Sequence, residues 1–168
     1  MKLSRRSFIF VGAAGAAALV VARFVPRGAA GPGALGADGT AVMTAVVPVM
    51  LAGALPTQRA ARDEALRDTL AGIERAVAGL APRAQRELSD LFSLLALAPA
   101  RWSLAHTTAP WRDAATDDVD GFLARLRDSR VELLRAAYDA LHQLVMAAWY
   151  GNPRAWASIG YAGPPSLG

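Results

Sequence analysis

Residues 57–80 read TQRAARDEALRDTLAGIERAVAGL. Leu66, Leu70, Ile73, Val77 and Leu80 recur at intervals of four, three, four and three, which puts them on one face of an α-helix. Arg62, Asp63, Arg67, Asp68, Glu74 and Arg75 fall on the opposite face, where solvated charges of both signs support one another a turn apart. Thr57 is the expected N-cap, its hydroxyl positioned to accept from an unpaired amide of the first turn. A helix of this kind has to bury its apolar stripe, and the rest of the chain offers it more helices rather than strands.

Upstream, residues 40–55 are apolar nearly all round and are interrupted by Pro48, which predicts a buried helix kinked at the proline. Downstream, Pro82 suits the first turn of a helix that turns Leu88, Leu91, Phe92 and Leu95 inward and ends before Pro99. Residues 100–115 have no clear period; with Trp102 and Trp111 they read as a long loop or broken turn packed on the bundle. Thr116 followed by Asp117 and Asp118 marks a helix start, the acidic side chains complementing the N-terminal dipole. Val119, Phe122, Leu123 and Leu126 are its apolar face. A final long helix, from about Ser129 to Trp149, carries Leu133, Leu134, Ala137, Leu141, Leu144, Val145 and Ala148 on a broad stripe. No comparable segment alternates with period two. The expected fold is all-α, a compact bundle of four to six helices followed by an irregular, aromatic, Gly/Pro-rich tail over residues 150–168.

The first 30 residues differ from this body. They hold five of the 18 basic residues (Lys2, Arg5, Arg6, Arg23 and Arg27) and no acidic one, so the formal charge of +4 belongs to them. The remainder sets 13 basic residues against 14 acidic ones, interleaved on helical faces, which argues against a nucleic-acid stripe. Behind the basic start runs an uncharged stretch from Phe8 to Ala22, short of the about 20 residues that span a bilayer and diluted by glycine and alanine. Ser4-Arg5-Arg6-Ser7-Phe8-Ile9 resembles the twin-arginine export signal of bacteria, with Arg5, Arg6 and Phe8 as its recognised positions. Residues 1–30 are therefore expected to be an export leader cleaved near Ala30, residues 31–39 a flexible linker, and residues 40–168 a single helical domain. The alternative is an uncleaved leader that tethers the protein to the membrane.

Catalytic sets are thin. There is no cysteine, which removes thiolate metal sites and disulfides. His106 and His142 stand in no His-x-x-x-His or Glu-x-x-His pattern, and His142 reads as a half-buried structural partner of Asp139, three residues before it. The pairs Asp63/Glu64 and Asp117/Asp118 fit helix surfaces and starts better than acid/base work. Met43, Met50 and Met146 raise the idea of a copper site, but with no Met-x-x-Met and no histidine cluster, core filling is the expectation. No catalytic residue, metal ligand or cofactor-binding residue is assigned, and the chain is expected not to be an enzyme.

What remains is the stretch AWYGNPRAWASIGYAGPP, residues 148–165, which gathers two of the four tryptophans and two of the three tyrosines. Gly151-Asn152-Pro153 is expected to end the last helix through a left-handed glycine, and residues 154–159 to make one short turn presenting Trp156. Rings on such a segment either cover the bundle as a lid or fill another protein's groove, where Trp, Tyr and Arg are the usual anchors. The aromatic-Tyr-Gly-Asn-Pro…Trp…Ile-Gly-Tyr-x-Gly-Pro pattern, behind a twin-arginine leader and a small helical body, resembles the small subunits of glucose-methanol-choline-type flavin dehydrogenases, the gluconate 2-dehydrogenase subunit 3 family. The resemblance implies a non-catalytic subunit that binds a leaderless, FAD-containing catalytic subunit and escorts it through the twin-arginine translocase to the periplasm, with a cytochrome c subunit as a further partner. It also implies Trp149, Tyr150, Asn152, Trp156, Ile159 and Tyr161 as docking residues. Two competing readings are a stand-alone periplasmic helical protein that holds a small apolar ligand, and a membrane-tethered structural protein.

Overall fold

The computed structural model describes residues 33–102 and 109–156. In chain order it contains α1 (Gly36–Met50), α2 (Arg59–Ala78), α3 (Pro82–Ala96), a single turn α4 (Ala98–Ala100), a 3-10 turn (Trp111–Asp113), α5 (Thr116–Arg127), α6 (Glu132–Tyr150) and the short α7 (Pro153–Trp156). The described residues contain no strand, and the fold is all-α and compact, as expected.

Helix α1 is the hub. Its near-uniform apolar character follows from its position, because α2, α3, α5, α6 and the 3-10 turn all pack against it. Val42, Met43, Val46 and Val47 are wholly buried, while Thr40 and Thr44 form the one exposed strip and donate their hydroxyls back to Gly36 O and Thr40 O. Pro48 lies inside the helix, in its last turn. The helix stops at Met50, the amide of Leu51 closes it on Val47 O at 3.0 Å, and the chain leaves through Gly53 in the left-handed region (φ 85°).

The expected linker is corrected at its C-terminal end: α1 begins at Gly36, so residues 36–39 are helical and Gly39 is buried. The reason is tertiary. A β-carbon at Gly39 would stand 2.9 Å from the Phe92 ring, so the absent side chain is what lets α1 approach α3. Just before the helix, the Glu74 carboxylate of α2 accepts hydrogen bonds from the amides of Ala34 and Leu35. Glu74 is thus no plain surface charge but the clasp that fixes where α1 starts, an acidic group at a helix N-terminus.

The amphipathic reading of α2, α3 and α5 holds except at Leu80, which lies beyond the end of α2 and is exposed. Ile73, Val77, Phe92, Leu95, Val119, Phe122, Leu123 and Leu126 are buried, with Leu66, Leu70, Leu88 and Leu91 packed around them. One cap is corrected: Gln58 rather than Thr57 occupies the cap of α2, whereas α5 starts at Thr116 as expected, with Ala115 before it. Neither cap residue makes a side-chain cap bond, so packing, rather than a capping hydroxyl, sets these ends. On α6 the stripe is Ala137, Leu141, Val145, Ala148 and Trp149, whereas Leu133 in the first turn is 72% exposed. Trp111 enters the core from the irregular stretch. Its indole Nε1 donates to Leu95 O at 2.8 Å, and its ring meets Phe122 edge-on at 4.9 Å.

Candidate functional site

The candidate site is the C-terminal end of α6 and the turn that follows it. Helix α6 closes with the amide of Gly151 on Ala147 O at 2.9 Å and that of Asn152 on Trp149 O at 3.1 Å. Gly151 does this with φ −70° and ψ −11°, so the expected left-handed cap is corrected: the residue stays right-handed. Glycine is required for another reason. A β-carbon there would lie 2.8 Å from Ala147 O, too close for any side chain without a shift of backbone.

Asn152 then starts α7. Its Oδ1 accepts from the Arg154 amide at 3.0 Å and its backbone carbonyl accepts from Ala155 at 3.0 Å, the work of an N-cap immediately before a proline. Ala155 is buried against the bundle. Arg154 reaches back to α2, with Nη1 2.6 Å from Glu64 and 3.6 Å from Asp68. The bond to Glu64, then the charges of Glu64 and Asp68, raise the guanidinium above its ordinary value. These contacts tie the turn to α2, and a cleft of about 270 Å³ between the two is lined by Asp68, Ala71, Arg75, Asn152 and Pro153. The approach of α6 to α2 beside this cleft depends on Gly72, where a β-carbon would come within 3.1 Å of Ala148.

The proposed docking residues that the structure describes are buried, half-buried or open. Trp149 is 5% exposed and belongs to the core, so its expected place on a docking surface is corrected: α6 turns it inward on the same stripe as Val145 and Ala148. Trp156 is half-buried and its Nε1 donates to Tyr150 O at 2.7 Å, which folds the indole back over the end of α6. Asn152 is half-buried and structural. Tyr150 alone of the described aromatic residues here keeps half its surface, 49%, open to solvent. Ile159 and Tyr161 lie outside the described residues, as do the leader positions Arg5, Arg6 and Phe8.

The sequence reading missed Arg154 as the link to α2; its signal was the acidic pair Glu64 and Asp68, one helical turn apart on a single face. The expected pairing of His142 with Asp139 is also corrected. His142 is exposed and stacks on Tyr138, centroids 5.8 Å apart and planes 21° apart. Among the described residues no group of three or more His, Asp or Glu side chains is placed to hold a metal ion, and no helix is long and apolar enough to cross a membrane. Comparison with protein-family models, with curated proteins and with solved structures finds no match to this chain.

Proposed function

We propose that the chain is a non-catalytic accessory subunit that binds a leaderless, FAD-dependent dehydrogenase of the glucose-methanol-choline type and escorts it, folded, through the twin-arginine route to the periplasm. The observation that carries this reading is the tail motif from Trp149 to Pro164, which follows a chain that opens with Ser4-Arg5-Arg6-Ser7-Phe8-Ile9. The physical logic is that this export route moves folded cargo, and a small helical body with no catalytic set of its own has reason to use it when a cofactor-loaded partner travels with it. The turn after α6 supports the reading in one respect. It contacts α2 through the solvent-exposed Arg154–Glu64 pair while Tyr150 stays open, so an aromatic ring is available to a partner beside a turn docked on the bundle.

The test is affinity isolation of the tagged full-length chain from its native host. A flavoprotein should co-purify, giving a flavin absorption spectrum. Replacing both leader arginines, Arg5→Lys and Arg6→Lys, should leave the chain and the dehydrogenase activity together in the cytoplasm. A chain that purifies without a flavoprotein overturns the proposal.

A further inference from the structure

Of the four methionines, Met43 is wholly buried and is core filling, as the sequence suggests. Met50 and Met146 are different. Both are half-buried, and the fold brings them together: Met50 closes α1, Met146 lies on α6, and both line one cleft of about 240 Å³ between α1, α5 and α6. A second kind of donor, an imidazole, is present as well. His142 lines the same cleft one turn before Met146 on α6, so imidazole and thioether share a face. His142 and Met146 are neighbours on α6 by sequence, and the packing of α1 against α6 brings Met50 to the same cleft.

We infer that Met50, His142 and Met146 form a binding site for a monovalent soft metal ion, Cu(I). Two thioethers and one neutral imidazole are a donor set that selects Cu(I) over the harder divalent ions, which want oxygen or several imidazoles. The surroundings suit a single positive charge. Asp120 lines the cleft, and the one cation that does so, Arg127, is engaged with Asp128 at 2.9 Å. Beside the donors, Val49, Leu123 and Ala124 are the apolar part of a lining that is otherwise polar. Tyr138, also at the cleft, stacks on the His142 ring and restricts its orientation. His142 itself is exposed, so an ion delivered from solution can reach the site without any opening of the bundle. This site is separate from the end of α6 and does not depend on the escort role.

The experiment is an anaerobic competition in which the purified full-length chain withdraws Cu(I) from its bicinchoninate complex. One equivalent should be withdrawn. Met50→Leu and Met146→Leu should each weaken binding at least about tenfold, and His142→Ala, at an exposed position, should do the same with the helical circular dichroism unchanged. Zn(II) in excess should not compete. In parallel, Ag(I) should shift the methyl resonances of Met50 and Met146 and the ring resonances of His142. No withdrawal of copper, or withdrawal unaffected by His142→Ala and Met146→Leu together, overturns the inference.

Discussion

Gly39 shows how one missing side chain organises this protein. The hub helix and α3 touch where a β-carbon would sit 2.9 Å from the Phe92 ring, inside any ordinary contact distance. Gly39→Ala should therefore force Phe92 or the helix axis to move, even though alanine is intrinsically the better helix former. The expected cost is about 1–3 kcal/mol, the range for overpacking a filled core, read as a lower denaturation midpoint with the slope unchanged. A midpoint raised above that of the native chain would mean that helix propensity outweighs the clash. This residue was not legible in the sequence, where Gly39 sits among Gly31, Gly33 and Gly36 and reads as linker. Glycine for flexibility and glycine for close approach look identical until the facing ring is known. Gly151 repeats the lesson: its composition suggested a left-handed cap, and its actual constraint is the space beside Ala147 O.

Among the helices, periodicity was the dependable signal and terminal chemistry the weaker one. The stripes of α2, α3 and α5 could be read directly, because a spacing of three and four fixes a face whatever the neighbours are. The ends were less uniform: α3 opens at Pro82 and α5 at Thr116, as their sequences suggest, but Thr57 is a good cap residue that the structure does not use. The capping partner that α1 does use comes from forty residues away, as the Glu74 carboxylate over Ala34 and Leu35. That clasp can be tested at this scale. Glu74→Gln keeps the length of the side chain but removes its charge and half of its acceptor capacity. It should cost about 1–2 kcal/mol, within reach of a hydrogen bond to a charged group, and should speed amide exchange over the first turn of α1 before other helices are affected. Uniform exchange across the bundle in the variant would show that the clasp contributes to global rather than local stability.

For the whole molecule, the question is whether the aromatic end of α6 holds the fold together or faces a partner, and the structure divides the work between adjacent residues. Trp149 is buried with Val145 and Ala148, whereas Tyr150 is half open beside the turn that Arg154 fixes to α2. The two substitutions should therefore separate. Trp149→Ala removes a large buried ring and should destabilise the isolated chain by about 3–5 kcal/mol, a large drop in thermal midpoint. Tyr150→Ala, at a surface position whose carbonyl still accepts from Trp156, should leave the midpoint within about 0.5 kcal/mol of the native chain. In the co-purification assay Tyr150→Ala should nevertheless reduce the flavoprotein recovered, since an exposed tyrosine is suited to anchor a partner. If Tyr150→Ala retains the flavoprotein fully, docking does not use this end of α6. If it melts the isolated chain, the ring is part of the fold, and the surface that meets a partner must be sought on another face, such as the exposed side chains of Val131 and Leu133 at the start of the same helix.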